Sequence, residues 1–248
     1  ALWSVRLGLP VGPVIRATIY KQFCAGESLE ESQGTVQQLK HHKVGSILDY
    51  SVEGKDSDAD FDRTMREMMR IIETASLNPA IPYTSIKLTG LVRSVILEKS
   101  SKNEKLDNTE HKEENLFLER LHKIFHQAAQ FHVPVYVDAE ESWLQPAIDR
   151  ITEKAMMEYN RQEAIVLTTL QMYRWDRLEY LKQLIDHARK NSYFIGIKLV
   201  RGAYMEKENK RALEGRYRSP IQPDKESTDR DFDKAIEICL DNLDLITL

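Results

Sequence analysis

Hydrophobic residues follow two rhythms along this chain. Short β-branched runs bounded by turn residues recur at VGSILDYSVEG (44–54), YTSIKLTG (83–90), VPVYVDAE (133–140), EAIVLTTLQMY (163–173) and FIGIKLVRG (194–202). Between them lie longer stretches with apolar residues at helical spacing: DFDRTMREMMRIIETA (60–75), NLFLERLHKIFHQAAQFH (115–132), WLQPAIDRITEKAMMEYN (143–160) and DRLEYLKQLIDHARKN (176–191). Leu116, Leu121, Ile124 and Ala128 mark the expected buried stripe of one such helix. Strands and helices alternating in this way predict βαβ units and a parallel sheet. The absence of a Gly-rich dinucleotide fingerprint favours a barrel over a doubly wound sheet.

The expected organisation is an N-terminal helical segment over 1–40, leading into a barrel over 41–248. The charge-rich stretch 97–115, LEKSSKNEKLDNTEHKEEN, reads as a solvated insertion. The closing run LDLITL resembles the first half of another strand, so the chain is expected to be a piece of a longer barrel.

Composition narrows the class only a little. Of 248 residues, 42% are hydrophobic and 30% charged, an ordinary globular balance. A net charge of −4 argues against nucleic acid as the main partner. Two cysteines cannot form a disulfide framework, and no apolar run reaches the length of a membrane span. The pair His122 and His126 has helical spacing but lacks the glutamate of a zinc-protease motif, so no metal is expected. The interleaved charges of KENKRALEGRYR (207–218) read as a solvated helix face.

The polar exceptions within the strands carry the chemistry. Strands of a covered parallel sheet should be almost wholly apolar. Here Lys87, Asp138, Gln171 and Lys198 interrupt four of them near their C-terminal ends, where a (βα) barrel builds its active site. Asp138 alone reads equally well as a helix cap, and Lys87 with Asp138 as a structural ion pair. Four such positions in register point to one shared mouth. Gly196 is expected to leave room beside Lys198.

The stretch KLVRGAYMEKE (198–208) resembles the signature of proline dehydrogenases. ILDYSVEG (47–54), SIKLTGL (85–91), VDAEESWLQPAIDR (137–150), TLQMY (169–173) and SPIQPDKESTDRDFD (219–233) also stand in that family's order. The resemblance implies a distorted (βα)8 TIM-like barrel, here incomplete at its C-terminus, with FAD bound noncovalently at the strand ends. It implies oxidation of L-proline to pyrroline-5-carboxylate, with hydride transfer to flavin N5 and electrons passed to a quinone. Lys87 then matches the lysine that reaches the substrate carboxylate, Asp138 the catalytic acid, and Tyr204 a tyrosine of the proline pocket. Gln171, Lys198, Arg201, Gly202, Ala203 and Ala139 fall on the flavin side, with Lys198 near N5 and Gly202-Ala203 allowing close backbone approach. Lys225 and Thr228 align with residues near the FAD phosphates. Asp138 either holds Lys87 or positions the substrate amine.

The family's paired arginines on the last helix lie beyond Leu248. The quinone link implies peripheral membrane contact, at the bacterial cytoplasmic membrane face or in the mitochondrial matrix at the inner membrane. The alternative reading is a Schiff-base barrel aldolase with Lys87 or Lys198 as nucleophile.

Overall fold

In this computed structural model, the described residues are 28–50 and 56–248, with Tyr20 and residues 24–26. The N-terminal stretch 1–15 and the Ser51–Gly54 part of the first strand motif lie outside them. The chain runs through α1 (Leu29–His41), β1 (Ile47–Asp49), α2 (Asp58–Ser76), β2 (Tyr83–Ile86), α3 (Ser94–Ser101), α4 (Asn108–Phe131) and β3 (Val135–Val137). It continues through α5 (Gln145–Tyr159), β4 (Val166–Gln171), α6 (Arg177–Asn191), β5 (Ile195–Val200), α7 (Met205–Gly215), α8 (Lys225–Leu240) and β6 (Ile246–Thr247).

All six strands are parallel, and their order in the sheet is their order in the chain. Sequential order with right-handed crossovers puts every connecting helix on the same side. A doubly wound sheet instead reverses its strand order partway. The arrangement is therefore the wall of an α/β barrel. The run 243–248 does contribute a strand, pairing Ile246 with Ile195.

Side-chain alternation separates the two faces of the wall. Ile86, Val135, Val137, Val166, Leu170, Ile195 and Ile197 are all buried in the core under the helices. Burying each such aliphatic side chain is worth about 1.5–3 kcal/mol. The opposite face carries Ser85, Tyr136, Leu167 and Gly196 at one level, in register across β2 to β5.

Two helical expectations change. The charged stretch 97–115 is mostly helical rather than a solvated insertion: α3 ends at Ser101 and α4 starts at Asn108. Asp107 and Glu110 form a reciprocal capping box that starts α4 two turns early. Lys99 adds a bond to Glu110 at 2.5 Å. Within α4, Leu116 is exposed and Phe117 occupies the core instead, alongside Leu121, Ile124 and Ala128.

At the N-terminal end of the wall, Asn160 ties two strands together. Its Nδ2 donates to the carbonyls of Val166 and Phe194 at 2.8 and 2.9 Å. Its Oδ1 accepts from the amides of Ile165 and Val166 at 3.0 and 2.8 Å. The side chain is fully buried, so each bond lost leaves a desolvated backbone group. Asn160→Ala should lower unfolding free energy by roughly 3 kcal/mol, since each orphaned buried group costs about 1–3 kcal/mol. Urea denaturation checks this, and a loss below about 1 kcal/mol would remove Asn160 from this role.

Candidate active site

The C-terminal end of the wall gathers its polar groups by register. Ile86 pairs with Val137, Val137 with Thr168, and Thr169 with Lys198. One residue further along, Lys87 stands level with Asp138, and Asp138 with Thr169 and Lys198. The Asp138 amide donates to the Ile86 carbonyl at 2.9 Å, continuing the ladder past the end of β3. Gln171 stands one layer above Thr169 on the same face, opposite Val200. The four expected residues are therefore brought to one mouth.

Within that level Lys198 donates a hydrogen bond to Asp138 Oδ1, and its ammonium lies 5.3 Å from the centre of the Tyr136 ring. Both members of the ion pair are largely shielded, their side chains 28% and 19% exposed. The structure thus adds a partner for Asp138 that neither expectation included. Burial pushes the Tyr136 phenol up to about 12, so it remains a neutral ring beneath the cation. Above the pair, the side-chain oxygens Gln171 Oε1 and Thr169 Oγ1 are buried and have no hydrogen-bond partner among the described residues. Buried polar atoms are nearly always paired, so these two suit a bound polar group.

The second half of the site follows β5. Arg201, Gly202, Ala203 and Tyr204 line an open cavity of about 750 Å³, which Lys225 and Thr228 close from the start of α8. Asp229 accepts from Arg201 Nε at 2.6 Å and also from Lys225. Lys225 first and Arg201 second hold its carboxyl below the usual range. Two cations, a threonine and the first turn of a helix make a plausible cradle for phosphates, with Asp229 as their present counter-charge. Lys87, Asp138, Gln171 and Lys198 do not line this cavity.

Two glycines have different neighbours from those expected. A side chain at Gly196 would land inside that of Leu167, so the missing Cβ makes room for Leu167 rather than for Lys198. Gly202 has φ +136°, and a Cβ there would meet the Tyr173 ring at 2.5 Å. The turn before Tyr204 is thus moulded on Tyr173 as well as on the cavity.

Glu140 escaped the sequence reading. It is 4% exposed and accepts from Thr89 N–H at 3.1 Å and Thr89 Oγ at 2.5 Å. Thr89 lies two residues after Lys87, so Glu140 braces the loop that carries that lysine. Burial raises its carboxyl to about 7, against the opposing pull of Thr89 and Lys87. Only its place beside Asp138 in the acidic run DAEE hinted at a role.

With this geometry in hand, comparison with known proteins decides the family. A family model described as proline dehydrogenase matches residues 32–248. The chain belongs to the proline dehydrogenase family. It is 33% identical over 224 residues to the carbapenem antibiotics biosynthesis protein CarD of Pectobacterium carotovorum subsp. carotovorum, covering 90% of this chain and 58% of that protein. It is 30% identical over 279 residues to mitochondrial proline dehydrogenase 1 of Dictyostelium discoideum, covering 96% of this chain and 49% of that one. The chain thus spans about half the length of the curated relatives it matches. Proline utilization A of Bdellovibrio bacteriovorus shares the fold with a TM-score of 0.81 at 19% identity, over 94% of this chain and 26% of its own.

The raised carboxyl of Glu140 has a signed consequence. A carboxyl at about 7 when folded, against an ordinary 4.5, binds its proton more tightly in the folded state. That stabilisation is complete below about 4.5 and is lost as pH rises through about 7. The melting temperature of the wild type relative to Glu140→Gln should therefore fall between pH 5 and pH 8. A gap that stays constant across this range would contradict the burial of an ionisable Glu140.

Proposed function

We propose that the full-length protein oxidises L-proline to pyrroline-5-carboxylate with FAD, the first step of proline catabolism, and passes the electrons to a quinone. The observation that carries this reading is the single level of Lys87, Asp138, Thr169 and Lys198, with the buried unpaired oxygen of Gln171 one layer above. Names of several relatives place them in mitochondria, which supports a mitochondrial setting at the inner membrane for this protein. Among the described residues, no helix is long and apolar enough to cross a membrane.

The residues fit FAD in two parts. Gln171, Ala139, Lys198, Gly202 and Ala203 would hold the ring system, and Arg201, Lys225 and Thr228 the phosphates. When bound, FAD supplies the hydride acceptor. Lys87 offers a fixed cation to the substrate carboxylate, at a strand end braced through Thr89 by Glu140. Asp138 orients the ammonium of Lys198, so that a positive charge stands at the mouth at a fixed place. Tyr204 closes the substrate side where β5 turns into α7. Preorganised groups of this kind lower a barrier because they need not rearrange during the reaction.

The Schiff-base alternative has little support. Lys198 is committed to Asp138, whereas a Schiff-base nucleophile must offer its amine lone pair to a carbonyl. The family match points away from that chemistry as well.

Purified full-length protein should be yellow, and its flavin absorbance should bleach on anaerobic addition of L-proline. Colourless protein without proline turnover would reject the proposal. Asp138→Ala leaves Lys198 without its partner and should lower kcat by about 100-fold, a typical cost of misplacing a catalytic group. Steady-state rates measure this, and near-normal turnover would remove Asp138 from the site.

A further inference from the structure

Glu208 stands in the run of alternating charges that begins α7, where the sequence pattern reads as a solvated face. The structure instead buries it completely. Both carboxylate oxygens are used: Oε1 accepts from the Ser142 amide and Oε2 from the Ser142 hydroxyl, each at 2.6 Å. A buried carboxylate is costly unless it is hydrogen-bonded, so this pairing is a condition of the helix docking here at all.

The two ends of this contact lead directly into the candidate site. Glu208 is one helical turn from Tyr204, and its amide donates to the Tyr204 carbonyl at 2.9 Å. Ser142 lies four residues after Asp138 on the loop leaving β3. Neighbouring contacts run in parallel: Lys207 bonds Glu141, and the Arg211 guanidinium stacks 4.0 Å from the centre of the Trp143 ring. Lys207 is well exposed, and surface pairs contribute little. The desolvated Glu208–Ser142 contact is therefore the anchor. Glu208 also raises the Tyr173 phenol, though less than burial does, and the Tyr173 ring is the one packed against Gly202.

We infer that Glu208 is a positioning residue: through Ser142 it clamps the turn carrying Tyr204 to the loop carrying Asp138, and so sets the affinity for the small carboxylate substrate. The clamp is geometric, and its effect on substrate rests on the proline-oxidising reading above. Removing it frees the Tyr204 side of the pocket while leaving the phosphate cradle of Lys225 and Thr228 in place.

The test compares Glu208→Ala, Glu208→Gln and Ser142→Ala in the full-length holoenzyme. Glu208→Ala should raise KM for proline about tenfold, the scale of one lost buried hydrogen bond, with flavin content per chain unchanged. Glu208→Gln keeps an acceptor for the Ser142 amide and should recover most of that loss. An unchanged KM in Glu208→Ala, or a glutamine variant no better than alanine with flavin and melting temperature falling together, overturns the inference. If Glu208→Ala does not fold, Ser142→Ala decides by the same KM criterion with about a threefold rise expected.

Hydrogen exchange separates the clamp from the function. Loss of the Ser142 contact should speed exchange in residues 139–144 and 202–209 together and leave the Asn160 region unchanged. Wild-type protein that turns over no proline would sink the functional reading, while coupled exchange would still uphold the clamp. Exchange unchanged in both segments overturns the clamp itself.

Discussion

Parallel pairing in chain order is the constraint on which the site depends. In such a sheet, residues at matching register lie side by side on the same face. A single register, Ile86 to Val137 to Thr168 and Thr169 to Lys198, therefore assembles groups up to 111 positions apart in sequence, from Lys87 to Lys198. Shifting any one strand by a residue would turn its polar group under the helices and an aliphatic one into the mouth. The ion pair of Lys198 with Asp138 is a consequence of that register, spanning from β5 to β3 across β4.

The two ends of the wall divide the work. At the N-terminal end, Asn160 satisfies backbone groups of two strands and contacts nothing that could bind a ligand. At the C-terminal end, Gln171 and Thr169 carry buried oxygens without protein partners, and cations sit beside acids. Stability concentrated below and unsatisfied chemistry above is the common division in (βα) barrels. Glu140 and Glu208 stand between the two: both are buried carboxylates whose bonds hold loops rather than face the mouth.

Much of this was legible from residues alone. The strand runs, the helical stripes and the placement of Lys87, Asp138, Gln171 and Lys198 near strand ends followed from periodicity, because pleat and helix repeats leave a direct trace. The stretch 97–115 was misread because its charge outweighed a signal present in the same residues, the capping box of Asp107 and Glu110. Glu208 looked solvated because helix-face patterns describe one element and not what docks on it. Gly196 and Gly202 were correctly unusual, but Leu167 and Tyr173, the side chains that need the space, are distant in sequence. The Lys198–Asp138 bond depended on a register that spacing does not specify.

The most direct test of the shared mouth is a crystal structure of the full-length protein with FAD and a non-oxidisable five-membered cyclic carboxylate. The register account requires the carboxylate within hydrogen-bond reach of Lys87, and the ligand ring between Tyr204 and the level of Asp138 and Lys198. A ligand lodged elsewhere, with Lys87, Asp138 and Lys198 all out of contact with it and with the flavin, would contradict that account.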